Sequence, residues 1–361
     1  MDSSDDRLHL RGARSFVAGR FESVARETFD DGWTPEEKDE RELQTSVAIE
    51  RARSILSHND SPDVGFDRSI NPYRGCEHGC IYCYARPSHA YLELSPGLDF
   101  ETKLYAKTNA AELLRFELSR PGYKCSPIAL GANTDCYQPI ERKYRITRQI
   151  LEALAECEHP VTMVTKSALI ERDLDLLTDL SSKNLVKVFV SIGTLDRVLA
   201  RKLEPRAASP QRRMDILRRL SSSGVPCGVM VAALIPALND KTLEQVLEAA
   251  AAAGAREAAY VIMRLPHELK ALFKEWLAAH YPERAEHVIS IVRQMRGGRD
   301  NDPSFGTRMT GTGSYAELIE KRFDIACRRY GLNDHGAGRN PPELDCSRFR
   351  PPSRHGQMTL F

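Results

Sequence analysis

The chain has 361 residues, 42% hydrophobic and 28% charged, which is enough to bury a core as one large domain or two ordinary ones. Its 51 Lys and Arg against 50 Asp and Glu leave a formal charge of +1. That excludes a polycation that coats nucleic acid by net charge, but not a local basic patch. The longest apolar stretch, Cys227–Leu238, is broken by Pro236 and falls short of the roughly twenty residues of a membrane-spanning helix. The start, Met1-Asp2-Ser3-Ser4-Asp5-Asp6, lacks the basic-then-apolar order of a secretory signal. A cytoplasmic protein with no membrane partner is therefore expected.

Residues 1–45 carry alternating charge with little apolar periodicity and read as a flexible N-terminal extension. From Val47 onward, short β-branched runs alternate with longer amphipathic segments. Strands are expected at Phe66–Asn71, Pro127–Ala132, Val161–Thr165, Val186–Ile192, Gly228–Leu234 and Ala259–Arg264, several of them apolar on both parities. Helical periodicity lies between them at Asn109–Ser119, Arg145–Cys157, Leu169–Leu180, Pro210–Ser222, Lys241–Ala253 and Leu269–His280. Ser209-Pro210 and Asp240 mark helix starts, and Gly224 and Gly254 mark helix ends. Strands alternating with helices imply an α/β fold with a parallel sheet and right-handed crossovers. The pattern leaves a barrel and an open doubly wound sheet both available; in either, chemistry belongs at the C-terminal ends of the strands. The repeat defines a core over residues 46–300. Residues 301–332 read as a C-terminal helical extension built on Tyr315–Tyr330, and residues 333–361 as a mobile tail rich in Pro, Gly and Arg.

Nine Cys are present, an odd number, and three cluster in Asn71-Pro72-Tyr73-Arg74-Gly75-Cys76-Glu77-His78-Gly79-Cys80-Ile81-Tyr82-Cys83-Tyr84. The spacing is C-x3-C-x2-C, with Tyr82 just before the third Cys. In a reducing compartment such a cluster reads as metal or redox chemistry, not as a disulfide framework. Three thiolates can hold three irons of a [4Fe–4S] cube and leave the fourth open to a ligand. Structural zinc prefers four closed ligands. His78 would complete a Cys3His set, though only by wedging between two other ligands of one short loop. Cys125, Cys157, Cys227 and Cys327 stand in apolar or helical contexts and read as small buried hydrophobes.

This motif after the first strand of a (β/α) repeat resembles the radical S-adenosylmethionine (SAM) superfamily over residues 65–300. The resemblance implies a partial (β/α)6 TIM-like barrel with a [4Fe–4S] cluster on Cys76, Cys80 and Cys83. It implies SAM chelated at the open iron, a reductase as electron donor, and a 5′-deoxyadenosyl radical that takes a hydrogen atom from substrate. A closer likeness is to the branch containing spore photoproduct lyase, carried by Asn133-Thr134-Asp135, Thr165-Lys166-Ser167, Ser191, Leu203-Glu204-Pro205 and the run Gly228–Pro236. The run Ser69-Ile70-Asn71-Pro72-Tyr73-Arg74-Gly75-Cys76 is similar to that of the PA0069-type radical SAM proteins. The chain departs from the lyase branch at two points. Ala132 stands where the branch has a hydrogen-donating Cys, which leaves the displaced Cys136 as the candidate hydrogen donor or radical relay. Gly131-Ala132-Asn133 replaces a Gly-Gly-Glu-like run, so the SAM amino group must be met differently.

Other residues join the candidate cofactor site, each with a plainer alternative. Lys166 closes the third strand and either pairs with the SAM carboxylate or a ribose oxygen, or is a solvent-exposed strand end. Ser191 contacts ribose or carboxylate, or bonds to the backbone. Thr134 and Asp135 reach SAM or substrate, or cap the next turn, and Asn133 beside them is expected to bind the cofactor. Glu204 accepts from a ribose hydroxyl or pairs with Arg206. Arg264 faces the cavity or forms a rim ion pair. Tyr82 packs against the cluster or adenine, or only in the core.

Arg293, Arg296, Arg299 and Arg308 punctuate glycine-rich turns, a composition suited to phosphate contact, with a solvated loop as the alternative. The terminal Gln357-Met358-Thr359-Leu360-Phe361 resembles the peptide by which bacterial repair proteins dock on the DNA sliding clamp. The expected function is a SAM-radical enzyme in DNA repair or nucleotide modification. The rival reading is a non-enzymatic iron–sulfur protein that associates with DNA or senses redox state.

Overall fold

The computed structural model describes residues 11–22, 44–335 and 343–352. Its strands are β1 (Ser46–Glu50), β2 (Leu56–His58), β3 (Arg68–Ile70), β4 (Tyr73–Arg74), β5 (Lys103–Lys107), β6 (Ile128–Leu130), β7 (Val161–Thr165), β8 (Val186–Ser191), β9 (Cys227–Leu234) and β10 (Glu257–Ile262). Strands β3, β6, β7, β8, β9 and β10 lie side by side in chain order and are all parallel, with β2 antiparallel on the edge of β3. An order that never reverses is that of a partial (β/α)6 barrel; a doubly wound sheet would turn back at a switch point. A small second sheet, β1-β5-β4, stands beside it, and β4 leads directly into the Cys loop. These short strands of mixed polarity carry no period for sequence reading to detect.

The helices are α1 (Asp99–Thr102), α2 (Ala110–Leu118), α3 (Glu141–Tyr144), α4 (Ile146–Glu156), α5 (Leu174–Ser182), α6 (Arg197–Leu203), α7 (Pro210–Ser222), α8 (Leu243–Ala252), α9 (Leu269–His280), α10 (Pro282–Gln294) and α11 (Ser314–Tyr330). The entry to α7 shows why such segments start where they do: Ser209 Oγ accepts from the Arg212 N–H at 3.3 Å and Pro210 opens the first turn. The main core unites Val161, Met163, Val186, Val188 and Val229 of the sheet with Ile150, Leu154, Leu177, Leu217 and Val246 of the helices. A second apolar cluster joins Phe273, Trp276 and Val288 of α9 and α10 to Ala13, Ile81 and Tyr82. The Cys loop is thus backed by helices from late in the chain. Helix α10 escapes sequence reading because only Tyr281 separates it from α9, so the two periods merge.

The ends of the chain differ from expectation. Residues 11–22 are a packed strap and not a flexible extension. The N–H groups of Gly12 and Ala13 donate to the Glu101 carboxylate at 3.0 and 2.8 Å, Ser15 Oγ donates to Glu275 at 2.7 Å, and Arg20 pairs with Glu268 at 3.0 Å. An anchor of backbone N–H groups on a carboxylate needs no apolar periodicity. Residues 1–10 and 23–43 lie outside the described residues. The segment after residue 300 is part of the core: Ala316, Ile319, Phe323 and Ala326 of α11 are buried in it, and Ile262 N–H donates to Met309 O at 2.9 Å along the edge of β10. Part of the expected mobile tail is docked. Asp345 N–H donates to Asn184 O and Arg350 N–H to Cys157 O, both at 2.9 Å, and Phe349 packs 5.3 Å from Tyr123. The terminal peptide Gln357–Phe361 lies outside the described residues. No helix among those described is long and apolar enough to cross a membrane.

A candidate metal centre at the barrel mouth

Buried polar side chains impose the shape of the Cys loop. Arg86, fully buried, donates from Nε to Cys80 O at 2.9 Å, from Nη2 to Gly79 O at 3.0 Å, and from Nη1 to Pro96 O and Gly97 O at 3.2 and 2.9 Å. Its charge is met by Glu101, the carboxylate that also holds the strap. Gln138 clips the other side, donating to Gly75 O and accepting from Glu77 N–H, both at 3.0 Å. The strap passes so close that a Cβ on Gly12 would collide with the Gly79 carbonyl. Residues 75–80 are therefore held from two sides before any ligand arrives, as a preorganised site requires.

Cys76 and Cys80 are 7% and 8% exposed, Cys83 is half-buried, and all three are free thiols. Burial pushes Cys80 up to about 12 against the pull of Lys166, and Cys76 rises well above the ordinary thiol range for the same reason. Among the described residues no three Cys, His, Asp or Glu donors gather on a single metal position. A four-iron cube takes one thiolate at each of three separate corners, and three Cys on one loop supply that number of soft ligands. The donor set fits an iron–sulfur cube.

The structure brings three of the expected cofactor residues near this loop. Tyr82 is buried, and its hydroxyl donates to Glu204. Glu204 pairs with Arg213, not with the Arg206 expected as its alternative partner; Arg206 instead meets Glu77 at 3.0 Å. Burial opposes the Glu204 charge, but Arg213 and Lys166 hold its pKa below the usual carboxylate range. Lys166 Nζ lies 5.9 Å from the Tyr82 ring centroid, and no described residue accepts a hydrogen bond from it. Burial would discharge that ammonium, yet the Cys80 sulfur, Glu204 and Asp135 keep its pKa above the ordinary value.

Other expected ligands are committed to the protein. Asp135 accepts from Thr165 Oγ1 at 2.8 Å, Lys166 N–H at 2.7 Å and Tyr137 N–H at 2.9 Å, and lies 3.3 Å from His78 Nδ1. Burial opposes its ionisation, but His78 and these donors hold it down at about 2. It clamps the second and third strand loops to the Cys loop. Ser191 Oγ donates to Ala232 O at 3.1 Å, its backbone alternative, while Thr134 Oγ1 donates to Tyr73 O at 3.0 Å and so ties its loop to β4 instead of capping the next turn. Asn133, half-buried, is fixed through its N–H to Asn71 Oδ1 at 2.8 Å, and its side-chain amide has no partner among the described residues. Cys136 is not on the rim: it is 0% exposed inside the main core, 3.6 Å from where a Cβ on Gly131 would stand. The Asx turn from Asp135 to Tyr137 rotates it inward, so it cannot meet a substrate there. Arg264 stands apart, beyond β10 and beside Tyr84 and Met309.

Sequence reasoning missed Arg86, Glu101, Gln138 and Arg213. Only Arg213 left a signal, as a charged residue in the buried stripe of α7 shared with Leu217 and Leu220.

Comparison with known proteins bears on this geometry. The profile of the radical SAM superfamily matches residues 70–250. An uncharacterized protein of Mycobacterium tuberculosis strain H37Rv is 36% identical over 286 residues, covering 78% of this chain and 79% of its own. An uncharacterized protein of Methanocaldococcus jannaschii is 27% identical over 198 residues, 55% of this chain and 72% of its own. Among solved structures, a mutant of spore photoproduct lyase superposes with a TM-score of 0.60 at 16% identity, covering 85% of this chain and 88% of that one. The lyase complexed with dinucleoside spore photoproduct gives 0.59 at 15% identity, over 81% and 82%. A double mutant of it with bound AdoMet and dinucleoside spore photoproduct gives 0.57 at 16%, again over 81% and 82%. At such identities the structural likeness is one of fold.

Proposed function

This chain belongs to the radical SAM superfamily, and from that premise we propose that it takes a hydrogen atom from a nucleic-acid substrate in repair or nucleotide modification. As a member of that family it is an enzyme whose cofactors are a [4Fe–4S] cluster and SAM. When bound and reduced, these supply a 5′-deoxyadenosyl radical; the electron comes from a reductase.

Cys76, Cys80 and Cys83 would hold the cluster, presented by a loop whose carbonyls Arg86 and Gln138 already bind. Lys166 carries the reading: a half-buried ammonium 5.9 Å from the Tyr82 ring, with no acceptor among the described residues, suits an anion such as the SAM carboxylate. Tyr82, its hydroxyl fixed by Glu204, offers a ring against the cofactor, and the Asn133 side-chain amide has no partner among the described residues. Asp135, Thr134 and Ser191 position the loops that bear these groups.

The test is anaerobic reconstitution with iron and sulfide, then addition of dithionite and SAM. Formation of 5′-deoxyadenosine is expected. An intact cluster that leaves SAM uncleaved would favour the rival, a redox or structural iron–sulfur protein. Nucleic acid as substrate draws on the shared fold, since the lyase binds a dinucleoside photoproduct. It also draws on the terminal peptide Gln357–Phe361, which suits docking of two apolar side chains on a sliding clamp. A titration of that peptide against sliding clamp tests the docking; affinity no tighter than millimolar removes it.

A further inference from the structure

The barrel mouth carries a second constellation that the cluster and Lys166 do not use. Arg264 is partly buried. Among the described residues its Nε, shielded from solvent, has no hydrogen-bond partner, and its Nη1 meets only the Met309 sulfur at 3.6 Å. A guanidinium placed so is costly unless a ligand supplies the acceptor. Arg296, 2% exposed, lies near enough to repel it; among the described residues it is hydrogen-bonded by the carbonyls of Ile262, Met263, Thr307 and Arg308 at 2.8–3.3 Å, with Asp302 as its nearby carboxylate. Arg308 brings a third positive charge, which Asp63 neutralises. The mouth therefore holds more cation than carboxylate. Two exposed rings complete it. Tyr84, directly after Cys83, is 50% exposed with the Arg264 guanidinium 5.9 Å from its centroid; Phe305 is 58% exposed with Arg308 at 4.5 Å.

An acceptor-starved guanidinium beside exposed rings suits a phosphodiester with unstacked bases. We propose that Arg264, Tyr84 and Phe305 form the phosphodiester and base subsite for single-stranded nucleic acid next to the Cys loop. This rests on the nucleic-acid reading above and moves Arg264 from the cofactor to the substrate.

Full-length, cluster-loaded protein is titrated anaerobically with fluorescein-labelled oligothymidylate and, separately, with SAM. Arg264→Gln is expected to weaken the oligonucleotide roughly 10- to 100-fold, the range of a lost charge-assisted hydrogen bond. The slope of log affinity against log salt should fall by about 0.7. Phe305→Ala is expected to weaken it at least about 5-fold. Neither should loosen SAM by a comparable factor. Equal loss of SAM and oligonucleotide in Arg264→Gln would return Arg264 to the cofactor and overturn the proposal. Oligonucleotide binding unchanged in both variants would overturn it too. Phe305→Ala alters an exposed ring, so it still decides the matter if Arg264→Gln fails to load a cluster. The assay needs no turnover, so a protein that binds the oligonucleotide but leaves SAM uncleaved refutes the reaction and not this subsite.

Discussion

Replacing Glu101 by Gln should destabilise the whole Cys loop, because one carboxylate serves both a buried cation and the strap. Arg86 would keep its four backbone carbonyls and lose its counter-charge. Breaking a buried ion pair by removing one partner costs about 3–5 kcal/mol. The amide oxygen still accepts one strap N–H where the carboxylate accepted two, a further loss of about 1 kcal/mol. At a urea m-value of about 3 kcal/mol per molar for a chain of this size, the midpoint should fall by roughly 1–2 M. The assay is an anaerobic urea titration of cluster-free protein, followed by the fluorescence of Trp276, which packs in the cluster containing Ile81 and Tyr82. Arg86→Met combined with Glu101→Leu should not recover the loss, since four loop carbonyls and two strap N–H groups would be left without their partners. A midpoint within 0.3 M of the parent for Glu101→Gln, judged against that m-value, would show that the pair does not hold the loop and would refute the reasoning.

Lys166→Met should retain iron but weaken SAM roughly 10- to 100-fold, the value of a charge-assisted contact; equilibrium dialysis with labelled SAM reads it, and undiminished affinity would remove Lys166 from the cofactor. Gly12→Ala should lift the strap off Gly79, so trypsin cleavage at Arg11 and Arg14 should accelerate; unchanged protection would mean that the close approach is not required. Asp135 titrates at about 2 in the fold against an ordinary 3.8. Its folded pKa is the depressed one, so its stabilisation is complete above about pH 4 and drains as pH falls through about 2, by about 2 kcal/mol in all. Asp135→Asn should flatten that part of the stability–pH curve of the cluster-free protein, and an identical slope would exclude it as the titrating group.

The parts of the molecule legible in the sequence are those written in contiguous residues. The Cys motif lies within one loop, and the strands and helices carry their own periods, so the barrel and its metal ligands could be read directly. The supporting shell could not, because Arg86 with Glu101, Gln138 with Gly75, and Glu204 with Arg213 leave no mark except in three dimensions. The strap looked free because its anchors are two backbone N–H groups and two polar side chains whose partners lie far along the chain, none of which leaves a periodic signature. Cys136 was misplaced because a single Asx turn decides whether a residue at a strand end points to the mouth or to the core. Ser191 shows that a hydroxyl in an apolar strand tells only that a partner exists, here the Ala232 carbonyl.

The strap also orders events during synthesis. Residues 12–20 leave the ribosome long before Glu101, and longer still before Glu268 and Glu275, to which Arg20 and Ser15 are tied. Domains fold as units, so the strap's outer ties to Glu268 and Glu275 close only after α9 has been made, whereas Gly12 and Ala13, which lie against Gly79, need Glu101 alone.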